Sequence, residues 1–336
     1  MFHVITILLA LTFSFLKNQA EKPEVKILKS EFIYETAPFP SCHASTLLET
    51  EDGILASWFG GTYERHPDVS IYTSRLKNDT WSTPEMVADG IENEVFRNPT
   101  WNPVLFKTSQ GKTILYYKEG PNPREWWGLY KTSDDEGKTW SKAIQIPPGM
   151  LGPVKNKPIS LPDGTILYGS SFETNGVWSM HVETTNQNIQ NWQKIEIDNG
   201  AFHAIQPTIL SYPNGKLQLL ARTQEDVIGT TWSSDGGKTW STVESTGLVH
   251  NNSGIDAVTL KSGLQLLLCN PIKDGRNKLS LMMSLDGKNW EEIHVLEDQS
   301  KGEFSYPAII QAKDGTIHMT YTYNREKIKY VSLTLE

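Results

Sequence analysis

Ser133-Asp134-Asp135-Glu136-Gly137-Lys138-Thr139-Trp140 and Ser233-Ser234-Asp235-Gly236-Gly237-Lys238-Thr239-Trp240 carry one pattern, Ser-x-Asp-x-Gly-x-Thr-Trp. Ser284-Leu285-Asp286-Gly287-Lys288-Asn289-Trp290 is a version one residue shorter, and Asn78-Asp79-Thr80-Trp81 and Asn191-Trp192 are degenerate ones. The physics of such a turn is local. The Asp carboxylate caps backbone N–H groups, Gly takes a left-handed conformation, and Trp buries its ring beneath the turn.

A second signal runs in phase with the first. Asp52-Gly53, Gln110-Gly111, Asp163-Gly164, Asn214-Gly215, Ser262-Gly263 and Asp314-Gly315 place their glycines 58, 53, 51, 48 and 52 residues apart. Each pair lies between apolar or alternating runs, as in Pro207-Thr208-Ile209-Leu210-Ser211-Tyr212-Pro213-Asn214-Gly215-Lys216-Leu217-Gln218-Leu219-Leu220. A tight turn flanked in this way reads as a β-hairpin. Six hairpins, five of them followed by a Trp turn, predict an all-β chain of six four-stranded antiparallel blades. The sixth repeat, Phe304 to Glu336, has room for three strands, so Glu24-Val25-Lys26-Ile27-Leu28 is expected to supply its fourth and close the ring.

Turns of this type are Asp boxes, and the chain resembles the sialidase superfamily of Asp-box, or BNR-repeat, β-propellers. The resemblance covers most of residues 25–336 and implies a six-bladed propeller, one domain over residues 21–336.

The composition agrees. The 336 residues are 38% hydrophobic and 21% charged, which excludes a disordered chain and a multi-span membrane protein. A net charge of −8 disfavours nucleic acid as a partner. Two cysteines, Cys42 and Cys269, do not make a disulfide framework, and no metal or phosphate motif occurs, so no cofactor is expected. Eleven Trp and twelve Tyr suit strands and also suit a carbohydrate binder. Val4–Leu16 is a 13-residue uncharged run, too short to span a bilayer, followed by Lys17-Asn18-Gln19-Ala20. Residues 1–20 are therefore expected to be a cleavable signal peptide, with export to the periplasm or beyond, no membrane insertion afterwards, and a monomeric mature protein.

In a propeller of this kind the inner strand of each blade starts on the face to which the second-to-third strand loop returns. Asn102-Pro103, Gln206-Pro207 and Tyr306-Pro307 place Pro eight residues before the hairpin Gly, and Lys157-Pro158 matches with a shorter hairpin. Cys42-His43-Ala44-Ser45 opens blade 1, and Asn252, Ser253 and Asp256 open blade 5. His43, Asn102, Lys157, Gln206 and Tyr306 are thus expected to converge on one mouth, with Trp101 beside Asn102. The second-to-third loops add Arg65 and Asp68, Arg124, and Arg222, and two further loops run to Arg276 and to Arg325. Cations gathered on one face of an acidic protein point to an anionic small ligand.

The sialidase resemblance implies three Arg on the substrate carboxylate, an Asp acid/base, and a Tyr nucleophile paired with a Glu. Tyr306 stands where the nucleophile would be, Asp68 where the acid/base would be, and Arg222 where the second Arg would be. The first Arg is absent: the stretch that would carry Arg-Ile-Pro reads Pro40-Ser41-Cys42-His43-Ala44, and no third Arg is assigned. The segment Ser41–Arg75 resembles sialidase-like proteins of bacterial polysaccharide-degrading systems. That circle contains enzymes that eliminate rather than hydrolyse, among them lyases of uronic-acid polysaccharides and an ulvan-oligosaccharide dehydratase.

Elimination requires a group to remove the proton at C5 of a uronate, an acid for the group leaving C4, and cations on the carboxylate. His43, His203 and Tyr306, with Asp68, are the proton-transfer candidates. Arg222, Lys157 and Asn102 are candidates for the carboxylate clamp, and Arg65, Gln206, Arg124 and Trp101 for further sugar contacts. The expected reaction is β-elimination, as dehydration, at a non-reducing-end uronate of an acidic oligosaccharide. The alternatives are an exo-α-sialidase and a non-catalytic acidic-glycan binder.

Overall fold

The computed structural model describes residues 22–336; the expected signal peptide lies outside them. Six antiparallel sheets follow one another along the chain. Blade 1 runs Ser41–Thr50, Gly53–Gly61, Ser70–Lys77 and Thr80–Trp81, with Glu85–Ala88 also on its third strand. Blades 2 to 5 each have four strands, with inner strands at Thr100–Lys107, Ile159–Ser160, Ala204–Ser211 and Asp256–Thr259. No helix among the described residues is long and apolar enough to cross a membrane.

Blade 6 is closed by both ends of the chain. Phe304–Gln311, Ile317–Tyr323 and Lys327–Leu335 are joined by Val25–Phe32, which pairs antiparallel with the last strand from Val25↔Leu335 to Phe32↔Lys329. The closing strand runs four residues beyond the Leu28 limit read from the sequence. Glu24 and Glu336 exchange backbone hydrogen bonds past its end.

The two full boxes and the shorter one at Ser284–Trp290 are built as their residue types require. The Asp235 carboxylate accepts from the backbone N–H of Lys238 and Thr239, each at 3.0 Å, and from the Thr239 hydroxyl at 2.6 Å. Asp135 and Asp286 repeat the arrangement. Gly237 adopts φ +85°, and a Cβ there would lie 2.4 Å from Leu167 Cδ1, so the box packs against blade 3 through the missing side chain. Trp81, Trp140, Trp192, Trp240 and Trp290 each pack on a different hydrophobic cluster of the ring. The turn residues thus fix both a hairpin and an inter-blade contact.

These carboxylates make stability sensitive to acid. Hydrogen bonds from Thr239 hold Asp235 down to about 2. At Asp286 burial acts upward, but the backbone N–H groups of Asn289 and Lys288 outweigh it and hold the carboxyl down to about 2. A group depressed on folding contributes stability above its unfolded value and loses it as pH falls through the folded one. The melting temperature is therefore expected to fall between about pH 4 and pH 2, the span from the ordinary Asp value to the depressed ones. Asp235→Asn should flatten part of that slope; an unchanged slope would contradict the assignment.

Candidate active site at the axial mouth

The six blades bring one residue each to the same level of the axis. Ala44, Asn102, Lys155, Gln206, Gly254 and Tyr306 all lie nine residues before the hairpin glycine of their blade. In blades 1, 2, 4 and 6 the first ladder breaks at this level, between His43/Thr46, Trp101/Val104, Ile205/Thr208 and Ser305/Ala308. Ala44, Asn102, Gln206 and Tyr306 there adopt φ +57°, +37°, +55° and +51°. A left-handed conformation at a residue as bulky as Tyr is strained, and bulges of this kind re-aim side chains at sites.

Tyr306 is the centre of the mouth. Its phenolic oxygen accepts from Arg222 Nη1 at 2.6 Å and from Gln206 Nε2 at 3.4 Å, while Gln206 Oε1 accepts from Arg222 at 3.3 Å. Both partners are donors, so no acceptor for the hydroxyl proton lies among the described residues. The ring lies 4.1 Å from that of His43, centroid to centroid, and a Cβ at Gly254 would lie 3.1 Å from it. The guanidinium groups of Arg222 and Arg276 each stand 5.7 Å from the ring centroid. Arg222 also stacks on Trp178 at 4.8 Å.

Arg276 and Arg325 complete a group of three arginines at the mouth. Glu303 binds both, Arg276 at 2.9 Å and Arg325 at 2.6 Å, and Arg325 reaches Glu64 across the blade 6–blade 1 seam at 2.5 Å. Burial acts upward on Glu303, but Arg325 and Arg276 outweigh it and hold the carboxyl below its ordinary value. The sequence reading assigned no third arginine. Both were legible as the cations of the blade 5 and blade 6 loops, but nothing local distinguished them from solvated charge.

His43 occupies a different place from the one expected. Ala44, not His43, holds the shared register. The imidazole is buried beneath Tyr306, with Nδ1 on Thr322 Oγ1 at 2.9 Å and Nε2 enclosed without a partner. Burial, followed by Arg325, Arg276, Lys155 and Arg222, drives its pKa well below the usual value. His43 is thus a neutral ring supporting Tyr306 and does not reach a sugar directly.

Lys157 is also displaced. Its ammonium binds Asp256 Oδ2 at 2.8 Å and Ala257 O at 2.9 Å, and it lines a 450 Å³ axial cavity with Glu49, Lys107 and Lys313, at the hairpin end of the channel. Asp256 holds blades together through Thr208, Ile309 N–H and Lys157. Lys155 takes the mouth position instead, donating to the carbonyls of Ile255 and Pro307. Its burial pushes it down to about 7. Trp101 is a core residue: its indole N–H donates to Gly120 O at 2.8 Å, and it is 2% exposed, so it offers no stacking face.

The other candidates lie around the rim. Asn102 sits at the ring level with no hydrogen bond from its amide to the described residues. His203 Nδ1 pairs with Glu225 at 2.7 Å on the edge of blade 4, with no contact to Tyr306. At Asp68 burial acts upward, but the Thr62 hydroxyl and N–H and His66 outweigh it and hold the carboxyl below its ordinary value. Arg65 and Arg124 line a cavity of about 630 Å³ with Asn122, Asn175 and Glu173. Glu173 stands opposite Trp178 on its hairpin, and Trp178 stacks on the Arg222 guanidinium that binds Tyr306. Sequence reasoning missed Glu173 and Trp178, since the tip of an exposed hairpin carries no motif.

No curated protein sequence matches the chain. Solved structures with the same fold include a protein of unknown function from Dyadobacter fermentans, 16% identical, TM-score 0.76, covering 94% of this chain and all of that one. The NanB sialidase of Streptococcus pneumoniae is 13% identical, TM-score 0.73, over 90% of this chain and 70% of its own. The intramolecular trans-sialidase of Ruminococcus gnavus, solved with oseltamivir carboxylate, is 15% identical, TM-score 0.70, over 91% of this chain and 97% of its own. At these identities the likeness establishes the six-bladed fold. The model of the BNR repeat-like domain matches residues 52–319, the span of the hairpins and Asp boxes described above, and the chain belongs to that family.

Proposed function

We propose that the protein is an exported carbohydrate-active enzyme that performs β-elimination on an acidic oligosaccharide, dehydrating a uronate at the non-reducing end. The observation that carries this reading is the surroundings of the Tyr306 hydroxyl, which among the described residues are two donors and no carboxylate. A Tyr nucleophile needs a base to take its proton, and Gln206 occupies the place beside it. As the base of an elimination Tyr306 acts as a phenolate, a charge that the two donors stabilise and that an adjoining carboxylate would oppose. Arg222 and Arg276 meet the substrate carboxylate, which gains negative charge as the C5 proton leaves. His43 packs beneath the phenol and positions it.

Exo-sialidase activity is the second reading. The convergence of Arg222, Arg276 and Arg325 near Tyr306 favours it, since three guanidinium groups suit the carboxylate of a sialic acid as well as that of a uronate.

One assay separates the readings. The protein is incubated with uronate-terminated oligosaccharides and with sialosides, followed by absorbance in the unsaturated-uronate band and by mass. Loss of one water is the expected result. Chain scission with unsaturation would make the enzyme a lyase. Addition of water with free sialic acid would overturn elimination, and binding without any product would make the propeller a glycan receptor.

A further inference from the structure

We propose that Glu173 is the catalytic acid that protonates the oxygen leaving C4. This assignment rests on the elimination reading and adds its missing group. Removing the C5 proton leaves an electron pair that forms the C4=C5 double bond only if the C4–O bond breaks. The departing oxygen keeps the electrons of that bond and needs a proton to leave as water or as a sugar hydroxyl. Tyr306, acting as a phenolate held by the Arg222 and Gln206 donors, receives the C5 proton and Glu173 gives its own; afterwards the phenol returns a proton to solvent and Glu173 regains one, so the sum is one water lost.

The geometry selects Glu173 among the acidic groups of the mouth. It stands at the end of a regular ladder, opposite Trp178, in a hairpin without a bulge. Trp178 lies against the Arg222 guanidinium at 4.8 Å, and Arg222 binds the Tyr306 oxygen at 2.6 Å. Glu173, on blade 3, is thus joined to Tyr306, on blade 6, through Trp178 and the Arg222 guanidinium of blade 4. It lines the cavity of about 630 Å³, within the range of ligand sites. Among the described residues it makes no ion pair with Arg65, Arg124 or Arg222, although all three act on it.

Two other acidic groups of the mouth are committed elsewhere. Asp68 is bound by the Thr62 hydroxyl at 2.5 Å and by His66 at 2.8 Å, and Glu303 is shared by two arginines. Both are held as carboxylates, which have no proton to give. At Glu173 burial outweighs Arg222, Arg124, a hydrogen bond from Trp178 and Arg65, and raises the carboxyl above its ordinary value, the direction a general acid requires.

The test compares a methyl glucuronoside with its 4-deoxy-4-fluoro analogue, because fluoride leaves without needing a proton. Wild type should form unsaturated product from both. Glu173→Gln should lose about 10²-fold in kcat on the hydroxyl substrate and stay within about threefold of wild type on the fluoro analogue. It should also lose the fall in rate at high pH that titration of the acid imposes. Glu173→Asp, which keeps a carboxyl, should recover part of the rate. Equal losses on both substrates, or none on either, overturn the assignment. If wild type makes no unsaturated product from either compound, elimination itself fails, which is a different outcome from a defect confined to Glu173→Gln.

Discussion

Tyr306→Phe is expected to lower the rate of unsaturated-product formation by about 10²–10⁴-fold, the usual cost of losing a proton-transfer group. The substitution removes one oxygen atom and keeps the ring that His43 and Gly254 hold. Arg222 and Gln206 remain hydrogen-bonded to each other, so the mouth keeps its charge and shape. The melting temperature should therefore stay close to that of wild type, and substrate binding should weaken far less than kcat. A fall in rate of less than tenfold, with the fold intact, would show that the phenol does not transfer the proton. His43→Phe provides a contrast. It retains an aromatic support but loses the Thr322 hydrogen bond, so it should slow the reaction by shifting Tyr306, with a smaller effect than removing the hydroxyl.

The fold was readable because an Asp box states its own structure. Asp235, Gly237, Thr239 and Trp240 each have a separate local duty in the turn, and those duties are met within a few residues. Blade closure was readable by count, since the sixth repeat lacked a strand. The site was harder because it is assembled from six blades. Pro marked the level correctly at Asn102, Gln206 and Tyr306 but misled at Lys157, where it belongs two residues further along the strand. The informative quantity was the nine-residue offset from the hairpin glycine, which also gives Ala44, Lys155 and Gly254. An Ala and a Gly at two of six positions do not look like site residues. Gly254 matters because a side chain there would crowd the Tyr306 ring, and Ala44 belongs to the cluster on which that ring packs.

The burial of His43 has a consequence for the chemistry. A protonated imidazole there would add a fifth cation to Arg222, Arg276, Arg325 and Lys155, and burial, followed by those same four groups, keeps it neutral. Lys155 is subject to the same pressure, through burial and through Lys157 and Arg222. The centre thus concentrates its permanent charge in guanidinium groups, which stay ionised and present planar forks to a carboxylate. The carboxylates of Glu303 and Glu64 balance Arg276 and Arg325 from behind.

Arg222 is the guanidinium with the least freedom, and its replacement should have the second large effect. It is 6% exposed, stacked on Trp178, and bound to Tyr306 and Gln206, with Nε enclosed and unpaired. Arg222→Met removes the charge and is expected to cost about 10²–10³-fold in kcat/KM, as loss of one preorganised electrostatic contact does. Arg222→Lys keeps a charge but neither the fork nor the planar stack, so it should recover little of that loss. The role of the residue is read by changing the substrate as well. If Arg222 neutralises the carboxylate beside C5, the methyl ester of the uronate, which carries no charge there, should show a much smaller penalty from Arg222→Met. An equal penalty on acid and ester would mean that Arg222 acts only by holding Tyr306, and that the carboxylate is met by Arg276 and Arg325.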